Sequence, residues 1–235
     1  MIGGLAALAF RALFLSGEKG FRRAAWWAKA AFAASSLYAI LSQRPEPALA
    51  VLAASAALGA AWPGPEWLFA SAALSSIVAA WYSATALLTW LLASAPVGAL
   101  AVASIFARTM AISLAIIFVG NSISPANVAS ALSRVSGRAP IYVLATWRLA
   151  PVALGATVES IGIGKLKGEG AGRRLAPAVA FMYEYGDRLE EYRGALLEEG
   201  VRGIPGTAPS RSYTAMLLSA ALALAAVRIL LVGLP

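Results

Sequence analysis

The chain contains no cysteine and no histidine in 235 residues. Without cysteine there is no disulfide, no thiol nucleophile and no thiolate metal site. Without histidine the usual proton relay and the commonest metal ligand are missing. A metal site would have to be built from the 11 carboxylates, and most of these sit in one polar stretch. Redox catalysis, zinc peptidase chemistry and histidine-based metal carriage are therefore disfavoured. Charge is scarce as well, at 13% of residues, where a soluble domain carries about 25%.

Apolar residues fill the space, making up 60% of the chain with a mean hydropathy of +0.74. A soluble fold cannot hide so much apolar surface and still cover itself with polar groups. The composition also excludes disorder and collagen-like structure. It leaves an all-α polytopic membrane protein, with room for about five or six spans of about 20 residues each and one polar region.

Residues 1–15 are apolar but interrupted by Arg11, and Lys19, Arg22 and Arg23 follow them. A signal peptide carries its positive charge before the apolar run. The segment reads instead as an interfacial or re-entrant helix feeding a first span, with an extra short span as the alternative. Spans are expected at 24–42, 47–62, 67–93, 96–120 and 213–234. Trp62-Pro-Gly-Pro-Glu-Trp67 forces a turn between the second and third, and its tryptophans suit the membrane interface. This divides the chain into a four-span region 1–120, a polar region 121–212 and a C-terminal span 213–235.

The net charge is +8. In a membrane protein this excess sets topology, because cytoplasmic loops collect Lys and Arg. Segment 121–212 holds eleven basic residues and segment 1–23 holds four. Placing both inside gives an N-terminus in the cytoplasm, five spans and a C-terminus outside. Nucleic acid is not an expected partner, since the aromatics lie in the spans and form no stacking surface among the basic residues.

In the polar region Ser124 and Pro125 read as the cap and first residue of a helix over 125–136, ended by Gly137. A second helix is expected over 139–166, with Arg148 and Glu159 embedded and a kink at Pro151. A third is expected over 175–199, with one nearly apolar stripe and a carboxylate-rich opposite face. Each long helix runs into a charged glycine turn, Lys165-Leu-Lys167-Gly168 and Glu199-Gly200-Val-Arg202-Gly203. Two such amphipathic helices between spans suit a docking platform for another protein.

From Ser122-Ile-Ser-Pro125 through Ala131-Leu132, Trp147-Arg148-Leu-Ala-Pro151 and Glu159, the chain resembles the transmembrane T component of energy-coupling-factor (ECF) transporters, a branch of ABC importers. The resemblance covers about 100–212. It places the family's two coupling-helix tips at Lys167-Gly168 and Glu199-Gly200, with Arg202 close to the second. Where the family carries an arginine at each tip, this chain has lysine at the first and glutamate at the second. Lysine keeps the charge but loses the planar fork of donors; glutamate reverses the sign.

The resemblance implies a non-catalytic subunit of the cell membrane with no cofactor. Its partners would be cytoplasmic ABC-type ATPases and a substrate-binding S component in the membrane. The cargo would be a vitamin or a transition-metal ion. The absence of a GxxxxGK[ST] motif agrees with ATP hydrolysis in partner subunits. The alternatives are a secondary transporter, for which Arg108 would be the mid-span charge, or an unrelated membrane scaffold. No inverted repeat supports the former. Arg108 within a span needs a partner, because a charge at a helix centre costs roughly 2.5–3.5 kcal/mol.

Overall fold

A computed structural model describes residues 8–9, 11–13, 19–42, 44–93, 98–133, 135, 139–168, 170, 179–180, 183–184, 186–187, 194 and 208–232. The described residues are helical apart from turns and short connections. The α-helices whose bounds are described are α1 (Trp26–Ile40), α2 (Glu46–Ala61), α3 (Pro65–Leu92), α4 (Ala99–Ser122), α5 (Pro125–Leu132), α6 (Ala139–Leu166) and α7 (Arg211–Val232). A 3-10 turn over Gly20–Arg23 precedes α1. The chain forms two compact units. One comprises Arg11–Ser122 and Pro209–Pro235; the other comprises Met1–Phe10 and Ile123–Ala208.

Among the described residues three helices are long and apolar enough to cross a membrane: α3, α4 and α7. α1 and α2 have 15 and 16 residues, or about 22 and 24 Å at ~1.5 Å per residue. That is less than the hydrocarbon thickness of about 30 Å. The expected first span, 24–42, is cut at both ends. Ala25 is extended, and its N–H goes to Thr214 Oγ1 at 3.0 Å. At the other end Ser42 Oγ turns to donate to the Arg44 carbonyl.

In the first unit α4 packs along α3, and α7 packs along α1. The buried face of α3 includes Ala70, Ser71, Ser75, Ala79 and Ser83. These recur at helical spacing and are all small, which lets two helices approach closely. α4 buries Ala111, Leu114, Ala115 and Phe118 in a core shared with Phe32, Val51 and Trp67. Beyond Ile77, α3 exposes Trp81, Tyr82, Leu88 and Leu91, apolar surface suited to lipid.

α1, α3 and α7 begin, and α2 and α4 finish, at one end of this unit. There Phe21 meets Trp62, Phe118 and Tyr213 edge to face, with ring centroids 6.2, 5.4 and 5.2 Å away. Phe118 in turn meets Phe32 at 5.7 Å and Trp67 at 6.1 Å. At the opposite end two arginines tie α7 to α1 and to the connection between α1 and α2. Arg44 donates to the Leu231 carbonyl at 2.7 Å. Arg228 donates to the Tyr38 carbonyl and stacks on the Tyr38 ring.

Gly20 makes the aromatic end possible. Its φ is +59°, and a Cβ there would lie 2.2–2.4 Å from the Trp62 indole. Gly20→Ala is expected to cost more than the ~1–2 kcal/mol of left-handed strain, because the indole must also move. Gly120→Ala, in a helix with open space around the position, is expected to be neutral or stabilising. Thermal unfolding of the two variants in detergent checks the contrast. Equal melting temperatures would refute it.

In the second unit Ser124 caps α5 as expected: its Oγ accepts from the Asn127 N–H at 3.2 Å, with Pro125 next in the first turn. The helix stops at Leu132, four residues short of 136. Ser133 Oγ donates to the Ser130 carbonyl at 2.7 Å, the kind of local side-chain bond that competes with the helical ladder. α5 packs on α6, whose Ile141 and Ala145 are buried. α6 is continuous across Pro151. Of the helix expected over 175–199, the described positions 179–180, 183–184, 186–187 and 194 are helical and exposed; the rest lies outside the described residues.

Candidate functional site

The first candidate tip is the end of α6. Helical bonding continues to the Lys167 N–H, which donates to the Ile163 carbonyl at 3.0 Å. Gly168 then takes a φ of +68°, the left-handed conformation that commonly ends a helix and for which glycine carries no Cβ penalty. Lys167 and Gly168 are exposed, and so are Ile163 and Leu166. The tip thus presents two apolar side chains and one cation on a tight turn. Glu199, Gly200 and Arg202, the second expected tip, lie outside the described residues.

The expected intramembrane polar residues divide between the units. Arg108 is half-buried in α4, in the first unit. Arg148, Pro151 and Glu159 all belong to α6 in the second. Glu159 is exposed. The side chains of Arg148 and Pro151 lie outside the described residues.

Sequence reasoning missed a buried polar node in the first unit. Arg22 is 1% exposed and Lys29 is 8% exposed, where the sequence shows only a topology charge and a span residue. Arg22 Nε donates to the Asn121 carbonyl at 3.0 Å. Lys29 Nζ donates to the Arg22 carbonyl at 2.8 Å. Asn121 is buried and Nδ2 reaches two carbonyls, Ala12 at 2.6 Å and Ile117 at 2.9 Å. Trp67 Nε1 donates to the same Ala12 carbonyl at 2.9 Å. Burying a cation is costly unless it is hydrogen-bonded, and here backbone carbonyls supply the acceptors.

The node also brings two distant stretches of the first unit together. Arg22 holds Asn121, one residue before the end of α4. The Arg23 carbonyl accepts from the Ser210 N–H at 2.6 Å, one residue before α7. Neighbouring residues of one short turn therefore hold both the exit and the re-entry of the chain. Among the described residues no three metal-ligating side chains come together. No protein-family model, curated protein or solved structure matches this chain.

Proposed function

We propose that the chain is the transmembrane coupling subunit of an ATP-driven importer of the ECF type. In this reading it links cytoplasmic ATPases to a substrate-binding membrane subunit that takes up a vitamin or a transition-metal ion. α1 and α2 complete five membrane segments with α3, α4 and α7. The N-terminus and the polar region are cytoplasmic and the C-terminus is outside. ATP hydrolysis belongs to the partners.

The observation that carries the reading is the joint anchoring of residues 121 and 210 by Arg22 and Arg23. A displacement at this hydrogen-bonded turn is passed to the end of α4 and the start of α7 together. The exposed Lys167-Gly168 turn at the end of a 28-residue helix supplies a projecting surface for a partner. The alternation of the five helices brings Arg11, Lys19, Arg22, Arg23 and Arg211 to one end, in agreement with a cytoplasmic placement of that end.

Affinity purification of the tagged chain from its native membrane tests this. ATPase subunits bearing a phosphate-binding loop and a small apolar membrane protein are expected to co-purify. Recovery of the chain alone, in a detergent that preserves other membrane complexes from the same source, would overturn the reading.

A further inference from the structure

We propose that the end of the first unit where α1 and α7 begin carries a binding site for the headgroups of anionic phospholipids, formed by Lys19, Arg23 and Arg211 and edged by Trp26 and Trp27. The proposal rests on membrane embedding through α3, α4 and α7, and does not depend on the coupling role.

The sequence scatters these cations and the fold gathers them. The Ser210 N–H bonds the Arg23 carbonyl at 2.6 Å. Ala25 and Thr214, 189 positions apart, are bonded at 3.0 Å. Arg23 and Arg211 therefore stand at the starts of two adjacent helices. The Arg22-Arg23 pair is split by its surroundings: Arg22 turns inward onto the Asn121 carbonyl, while Arg23 is exposed. Lys19 and Arg211 are exposed as well. Among the described residues the exposed carboxylate at this end is Glu66, at the start of α3.

The tryptophans select lipid over an acidic protein as the occupant. Trp26 is 78% exposed and Trp27 is 47% exposed, directly after the basic turn. An indole so placed suits the boundary between headgroups and acyl chains. A phosphodiester just above that boundary offers anionic oxygens that match the guanidinium fork. A basic cluster beside a membrane helix gains about 1 kcal/mol per Lys or Arg, about fivefold in binding, from anionic lipid. A choline headgroup adds its own positive charge and cancels that gain.

The test uses the full chain in detergent, offered equal amounts of phosphatidylglycerol and phosphatidylcholine with the same acyl chains. Native mass spectrometry counts the lipids retained. Phosphatidylglycerol is expected to be preferred, with the preference falling about fivefold in Arg23→Gln and again in Arg211→Gln. Arg23→Lys and Arg211→Lys keep the charge and are expected to keep most of the preference, which separates loss of the site from loss of fold. Arg44→Gln, at the opposite end, should leave it unchanged. Excess glycerol phosphate should not displace the lipid; displacement would show a site for a soluble phosphate and overturn the lipid assignment. Equal retention of both lipids by the unaltered chain, or an undiminished preference in the double glutamine variant, would also overturn it. So would loss of a co-purifying acidic protein from that double variant without any change in lipid preference.

Discussion

Phe118→Ala is expected to destabilise the chain by about 3–5 kcal/mol, the usual range for deleting a buried aromatic. Phe118 is 1% exposed and sits at the centre of the aromatic end. It meets Phe21, Phe32 and Trp67 edge to face, and each such pair is worth about 0.5–1.5 kcal/mol beyond its buried area. Those rings come from the turn before α1, from α1 and from α3, so one deletion loosens three segments. Phe21 also supports Tyr213 at the start of α7 and Trp62 at the end of α2. Phe69→Ala removes an equally large side chain that is 75% exposed. It is expected to change the melting temperature in detergent little. Similar losses in the two variants would show that the aromatic end does not hold the helices together.

The apolar helices were legible because their signals are local. Expected spans at 67–93, 96–120 and 213–234 correspond to Pro65–Leu92, Ala99–Ser122 and Arg211–Val232. The Trp62 to Trp67 turn follows from Pro and Gly. Ser124 followed by Pro125 gives a cap that needs only three further residues to form its bond. α5 ends before the stop that Gly137 suggests, where Ser133 bonds the Ser130 carbonyl.

The buried node was not legible. Arg22, Lys29 and Asn121 give no motif, and their acceptors are mostly backbone carbonyls, which every residue possesses. The decisive Arg22 to Asn121 bond spans 99 positions. A charge count treats Arg22 and Arg23 alike, yet one is buried and the other faces outward. Only packing distinguishes them: Gly20 admits the Trp62 ring, Phe21 fills the centre, and Arg22 is left pointing at the end of α4.

The coupling reading yields the other large expected effect. Lys167→Glu is expected to weaken ATPase binding by a hundredfold or more, because reversing one member of a desolvated charge pair costs about 3–5 kcal/mol and ~1.4 kcal/mol is tenfold. The geometry of the turn singles out Lys167. It sits between exposed Leu166 and left-handed Gly168, so a groove that accepts the apolar tip also encloses the ammonium group. Gly168→Ala strains the turn and should weaken binding in the same direction without changing charge. Lys165→Glu is the charge control, with the same reversal two residues away; a rim contact there costs about 1 kcal/mol or less. The second tip is tested by sign. If Glu199 meets a basic group, Glu199→Arg weakens capture; if Arg202 makes the contact, Glu199→Arg is near neutral and Arg202→Glu abolishes it. Pull-down of the ATPases with each variant measures these effects. Full capture by a chain carrying both Lys167→Glu and Arg202→Glu would remove these two turns from the docking surface, even where the ATPases remain partners of the chain.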